Sequence, residues 1–255
     1  MKSPGTEFFI TSIYEIDRII DEISNAPLDD DETTALIRTR LPFEYSSFRD
    51  VFSKAASDTL APHRPYDHKI VLTEPLPNSF SPLYRQSTEE LKALKEYLLE
   101  HLAKGFIVNS SSPFASPVLF VKKPHSNKLR FCIDFRKLNA LTRTDPYPIP
   151  RIDELLARMS KAQIFTKLDI RQAFHRIRMD PDSEEMSTFR TRYGLYKCKV
   201  LPFGLSNGPA TYQRYMNDVL IDYLDDFCSA YLDDIIIYSE NVEDHENHVK
   251  KVLKR

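Results

Sequence analysis

The sequence predicts an α/β (α+β) protein in which helices back antiparallel strand pairs. Three stretches carry that expectation. Residues 87–104 hold a full set of helix signals. Residues 118–122 and 129–134 are two β-rich runs joined by a polar loop, Pro124-His125-Ser126-Asn127. Residues 229–239, SAYLDDIIIYS, place two adjacent carboxylates between apolar runs, and the second run is β-branched and aromatic.

A chain of 255 residues can bury a real core as one large domain or two small ones. A formal net charge of −2 is not that of a simple nucleic-acid binder, but the charge is unevenly spread. Residues 1–60 carry 6 Lys/Arg against 12 Asp/Glu, residues 61–150 carry 13 against 8, and residues 151–255 carry 16 against 17. The basic middle third is the expected phosphate-facing surface. Cys132, Cys198 and Cys228 lie far apart with no C-x-x-C pair, which excludes a zinc knuckle or a disulfide framework. They suit buried, reduced thiols of an intracellular protein. No apolar run is long enough to span a membrane, so no membrane partner is expected. Glu7, Glu15, Asp17, Asp21 and Glu22 make the N-terminus too acidic for a transit peptide.

Taken in order, residues 1–40 form a segment of uncertain structure, with isoleucines that suit a strand or a short helix and an acidic loop, Leu28-Asp29-Asp30-Asp31-Glu32. That loop lacks the alternating ligands and central glycine of a calcium site. Residues 41–86 read as a proline-rich linker, with a helix expected over 41–54. The helix over 87–104 has a Ser87/Glu90 capping box, an apolar stripe of Leu91, Leu94, Leu98 and Leu102, and Gly105 to end it. The hairpin over 118–134 has a basic tip: Lys122, Lys123, Lys128 and Arg130. After the rigid Pro146–Pro150 connector, residues 151–160 are expected as a helix with Ile152, Leu155, Leu156 and Met159 facing inward. Residues 189–200 suggest a strand pair, and a helix should start near Asn207-Gly208-Pro209, with Pro209 in its first turn. A last helix is expected over 242–255.

Chemistry enters with the carboxylates. Two like charges side by side are costly to desolvate, and a divalent cation is the economical compensation for Asp233 and Asp234. The chain holds its own control: Tyr223-Leu224-Asp225-Asp226 spells the same four letters after a helical pattern and reads as a solvated helix end. Asp169 closes another apolar run, Ile164-Phe165-Thr166. On neighbouring strands, Asp169, Asp233 and Asp234 make a site for two Mg²⁺ ions.

Four segments, LRFCIDFRKLNALT, FTKLDIRQAFHRIRM, LPFGLSNGPATYQRYMNDVL and SAYLDDIIIYS, resemble in order the motifs of reverse transcriptases, most of all those of gypsy-type LTR retrotransposons. The resemblance runs over residues 41–255 and is densest between Pro117 and Ser239. It implies a polymerase right-hand fold over 87–255, an antiparallel palm sheet with a fingers subdomain and the thumb absent. The chain would be a piece of a Pol polyprotein truncated before the thumb, and residues 41–86 would occupy the linker after the protease. The implied activity is RNA-directed DNA synthesis by two-metal transfer of dNTPs onto a primer 3′-hydroxyl. Asp169, Asp233 and Asp234, with Ile170 beside them, stand at the metal positions for Mg²⁺, with Mn²⁺ as an alternative. Lys123 and Arg130 match the triphosphate-binding positions, and Ile170, Arg171, Gln172 and Ala173 the pocket floor. Phe174 matches a steric gate that clashes with a 2′-hydroxyl. Phe203 stands where retroviral relatives have a glutamine that contacts the nucleotide, and is expected to pack instead.

The implied partners are an RNA or DNA template with its primer, dNTPs, and protease, ribonuclease H and integrase segments of a full-length element. The implied setting is a cytoplasmic particle or the nucleus. Two other readings stay open. A viral-type RNA-templated RNA polymerase shares the palm but usually has Gly before the paired aspartates and a polar residue at the Phe174 position. A retroelement remnant would be catalytically silent, with at most weak nucleic-acid binding.

Overall fold

Ser87 ends an extended segment at φ −71°, ψ 167°, and its side chain accepts the Glu90 amide while the Glu90 carboxylate accepts the Ser87 amide. The predicted capping box is therefore closed on both sides, an arrangement worth about 1 kcal/mol. It starts α1 (Thr88–Ala103), which Gly105 ends at φ +70°. Leu94 and Leu98 of the predicted stripe are buried, whereas Leu102 in the last turn is 37% exposed.

The computed structural model describes residue 37 and residues 39–77, 79–122 and 129–255, so the expectations for the N-terminal segment, the hairpin loop and Lys123 lie outside the described residues. The chain forms two compact units, Met1–Lys54 and Ala55–Arg255. In the first, the expected helix takes the tighter 3₁₀ form over Phe43–Phe52, kinks at Phe48 and buries no residue. Aromatic, serine and β-branched residues there are poor α-helix formers.

The second unit holds two sheets. After α1 come β1 (Ile107–Asn109), β2 (Ser116–Lys122), β3 (Leu129–Ile133), α2 (Arg136–Leu141), α3 (Ile152–Arg158) and β4 (Ile164–Asp169). Then follow β5 (Phe189–Thr191), β6 (Gly194–Cys198), α4 (Gly208–Leu220), β7 (Cys228–Tyr231), β8 (Asp234–Ser239) and α5 (Val242–Leu253). Five strands pair in the order β1-β6-β5-β2-β3, and β2 and β5 run parallel in an otherwise antiparallel sheet. The other sheet is fully antiparallel, in the order β4-β8-β7. The chain visits β4 between β3 and β5, so it leaves the five-stranded sheet for the other one and returns.

The predicted hairpin over 118–134 and the strand pair over 189–200 are both present. The helix over 151–160 needs correction. It spans only two turns, and among the four residues expected inside only Leu155 is buried, with Ile152 58% and Leu156 61% exposed. So short a helix on the domain's surface turns a single residue inward. All three cysteines are free thiols; Cys198 and Cys228 are buried, while Cys132 is half-buried. Among the described residues no helix is long and apolar enough to cross a membrane.

Helix α4 is the inner wall of the unit. Asn207 stands at its N-terminal boundary, its side chain bonded to the Asp145 amide and the Arg143 carbonyl rather than to the helix, and Pro209 sits in its first turn, as the sequence predicts. Thr211, Tyr212, Gln213, Met216 and Leu220 are all buried. The Thr211 hydroxyl meets the buried His68 ring at 2.8 Å. Burial pushes the His68 imidazole down to about 4. The Tyr212 hydroxyl is buried with no hydrogen-bond partner among the described residues.

Two outcomes follow. An unfolded histidine titrates near 6.5, so between about pH 6.5 and 4 the unfolded chain takes up a proton that folded His68 refuses. The associated stability, about 3 kcal/mol from that shift, is complete above pH 6.5 and declines as pH falls toward 4. Thermal unfolding from pH 7.5 to 4.5 should show Tm falling, and His68→Gln should flatten the slope. Removing an unpaired buried hydroxyl removes a desolvation cost, so Tyr212→Phe should raise Tm by about 2 °C, or leave it unchanged, in a calorimetric scan at neutral pH. A Tm that drops would show that the hydroxyl is bonded.

Candidate active site

Strand β4 alternates half-buried Ile164, Thr166 and Leu168 with exposed Phe165, Lys167 and Asp169. The half-buried set faces α5, where the Thr166 hydroxyl meets His245 Nε2 at 2.7 Å. The exposed set therefore lies on the opposite face. In the ladder with β8, Asp169 stands directly opposite Asp234, and Lys167 opposite Ile236. Residues directly opposite in an antiparallel pair point to the same face, so the Asp169 and Asp234 carboxylates share one side of the sheet. Strict alternation along a strand would send the successive Asp233 and Asp234 to opposite faces. Alternation governs only residues inside the ladder, and the ladder begins at Asp234.

Asp233 lies in the turn. Tyr231 and Asp234 close the β7–β8 hairpin, leaving Leu232-Asp233 as a two-residue loop. Such loops favour Gly or Asn at positive φ. Here Leu232 takes φ +52°, an unfavourable conformation for a side chain of its kind. The Ile170 amide donates to the Asp233 carbonyl at 3.3 Å, so the ends of β4 and the turn are joined by backbone. The second acidic pair, Asp225-Asp226, stands in the turn beyond α4, with Asp225 at φ +68° and paired with Arg158, and the Asp225 amide donates to the Cys228 carbonyl at the end of β7 away from Asp234. That matches its reading as a solvated end.

The Lys167 ammonium lies 3.0 Å from Asp234 Oδ1, with both side chains about half exposed (52% and 41%). A pair this open is worth at most about 1 kcal/mol and does not seal the site. Among the described residues no three His, Cys, Asp or Glu side chains gather closely enough to hold a metal ion. The strands thus bring the three carboxylates to one end of the sheet without closing their side chains together. Like charges repel, and Lys167 draws Asp234 to its own side. The donor set fits a hard divalent cation: it is all carboxylate oxygen, with two of the three donors held on one face by register.

Beyond Asp169 the chain turns sharply. Ile170 and Arg171 are half-buried, Gln172 is left-handed (φ 51°, ψ 41°), and Ala173 opens a 3₁₀ turn and is buried. Because the Ile170 amide is spent on Asp233, it is not available to a ligand oxygen. The Phe174 ring is set among aromatics, 4.9 Å from Phe203 and stacked 5.4 Å from Tyr212. A Cβ on Gly208 would come within 3.3 Å of the Phe174 ring, so the start of α4 passes close beneath it. Phe203 packs on Phe174 as expected, yet is 59% exposed. Arg130 is exposed on β3, opposite Val121, in the other sheet.

Sequence reading missed Lys167, Tyr212, Gly208 and Gln213. Lys167 was legible, two residues before Asp169 on the same strand face. The α4 residues were not, since their helical spacing reads as ordinary core. Burial, and then neighbouring charges that include Asp233 and Asp169, push the Tyr212 phenol up, which puts this core ring within electrostatic reach of the carboxylates.

This arrangement has known counterparts. Residues 121–255 match the family described as reverse transcriptase (RNA-dependent DNA polymerase). The chain is 42% identical over 184 residues to the retrovirus-related Pol polyprotein from transposon 297 of Drosophila melanogaster, covering 69% of this chain and 17% of that protein. It is 32% identical over 221 residues to the transposon Tf2-3 polyprotein of Schizosaccharomyces pombe, covering 84% of this chain and 16% of that one. The chain thus spans about a sixth of the curated relatives it matches. Among solved structures, the prototype foamy virus protease-reverse transcriptase is similar with TM-score 0.70 at 21% identity, over 89% of this chain and 31% of that one. The foamy viral protease-reverse transcriptase in complex with RNA/DNA hybrid gives TM-score 0.70 at 18% identity, over 100% and 33%. At such identities the likeness concerns the fold, here the palm and fingers of a polymerase. Carboxylate strands, palm sheet and relatives agree, and this chain belongs to the reverse transcriptase family, with retrotransposon Pol polyproteins as its homologues.

Proposed function

We propose that this chain supplies the palm and fingers of an RNA-directed DNA polymerase from a gypsy-type LTR retrotransposon. The observation that carries the reading is the register that sets Asp169 opposite Asp234, with Asp233 in the adjoining turn. Asp169, Asp233 and Asp234 would hold two divalent cations, Mg²⁺ or alternatively Mn²⁺, beside Ile170. Bound there, such ions supply activation of a primer 3′-hydroxyl and charge neutralisation on the departing pyrophosphate.

The chain's own residues do the rest. The exposed Arg130 grips triphosphate oxygens through paired N–H donors, and Lys123 serves as a second positive charge. Arg171, Gln172 and Ala173 floor the pocket after the left-handed turn. The Phe174 ring, braced by Phe203 and Tyr212, excludes a 2′-hydroxyl by contact, and so selects dNTPs over ribonucleotides. The substrate pair is an RNA or DNA template with its primer, and protease, ribonuclease H and integrase segments would accompany the chain in a full-length element. The three free thiols suit an intracellular setting.

Primer extension on poly(rA)/oligo(dT) with dTTP and Mg²⁺ tests the reading. Incorporation is expected, falling by at least about a thousandfold in Asp233→Asn, in keeping with loss of a charge that acts on the transition state. Incorporation that persists in the variant, or none in the wild type, sinks the assignment. With UTP in place of dTTP, Phe174→Ala should admit the ribonucleotide, and unchanged selectivity would remove the gate.

A further inference from the structure

Among the described residues strand β7 pairs with no strand but β8, so its outer edge carries backbone groups in need of partners. At the turn those groups are taken by one side chain. Gln213 on α4 is 0% exposed. Its Nε2 donates to the Ala230 carbonyl at 3.1 Å, and its Oε1 accepts the Leu232 amide at 2.8 Å. The second Nε2 hydrogen goes to Asn217 Oδ1 at 2.8 Å, and Asn217 Nδ2 donates to the Tyr147 hydroxyl at 2.9 Å. The bonds from the amide leave it one orientation, because the flipped amide would set oxygen against the Ala230 carbonyl and N–H against the Leu232 N–H. The residue it grips at the far end is Leu232, held at φ +52° beside Asp233. A leucine keeps that conformation only where its surroundings impose it.

We propose that Gln213 is a positioning residue that imposes the Leu232-Asp233 turn and so sets the Asp233 carboxylate for the reaction, with Asn217 and Tyr147 extending the tether to the connector before α3. The proposal rests on the polymerase reading for its consequence and on the hydrogen bonds for its mechanism. Gln213 touches no reacting atom; it acts through the backbone on either side of Tyr231. A glutamine inside a helix, spending one donor and its acceptor on the neighbouring strand and turn, does for the β7 edge what another strand would do.

The test uses the full chain with Gln213→Met, which keeps length and volume and removes all three bonds. Backbone hydrogen exchange in the metal-free protein reads the turn directly. Loss of the acceptor for the Leu232 amide should speed its exchange by roughly tenfold or more, the scale of one net hydrogen bond. Mn²⁺ titration should show weaker binding, and primer extension should lose kcat by roughly tenfold while KM for dTTP stays within about twofold, the pattern of lost transition-state alignment. Asn217→Ala, which frees only one N–H of the amide, should shift the same readouts in the same direction by less, and carries the test if the methionine variant does not fold. Unchanged exchange at Leu232, or a fall in kcat no larger than the unfolded fraction, overturns the proposal. A wild-type chain that neither binds Mn²⁺ nor extends a primer defeats the polymerase reading, while the exchange result still decides whether Gln213 holds the turn.

Discussion

The backbone register between β4 and β8 is the constraint on which the rest of this site depends. It places Asp169 opposite Asp234 and, on the other face, Leu168 opposite the buried Ile235 and Thr166 opposite the buried Ile237. A slip of one residue would turn every side chain of the strand over. The carboxylate of Asp169 would then face α5, and Lys167 would lose its side of the sheet. The dry packing of Ile235, Ile237, Val249 and Val252 thus fixes the position of the charges, although none of these residues carries one.

Two like charges held on one face repel, and the surroundings temper this only weakly. Lys167 offers an exposed ammonium to Asp234 that is too solvated to lock the pair. An open, acidic, oxygen-only donor set suits an incoming hard cation better than a permanent internal partner. The strain lies beside it: Leu232 at φ +52° and Gln172 at φ 51° are non-glycine residues in the left-handed region, one on each side of the carboxylates. Both turns are short, and both break the regular strand geometry beside the carboxylates.

Helix α4 ties these parts together. Gly208 passes under Phe174, Thr211 meets His68, Tyr212 stacks behind the ring, and Gln213 reaches the β7 edge. Its amphipathic pattern reads as an ordinary core helix, which it is. Its further role comes from what is packed against it, and helical spacing alone does not name those neighbours. The same holds for α3: its apolar residues have the right spacing, yet only Leu155 finds a surface to cover.

The sequence by itself determined the local elements and the chemistry they carry. The Ser87/Glu90 box, Pro209 in the first turn of α4, the β-branched run after Asp234 and the carboxylates themselves are short-range signals, legible because propensity and capping act between neighbours in the chain. Tertiary structure decided how those pieces meet. It made Asp234 rather than Asp233 the cross-strand partner of Asp169, gave Lys167 to Asp234, spent the Ile170 amide on Asp233, and put Gln213 on the edge of the turn. These are contacts between residues 63, 67, 65 or 19 positions apart, and which of them form depends on register and packing set by the whole core.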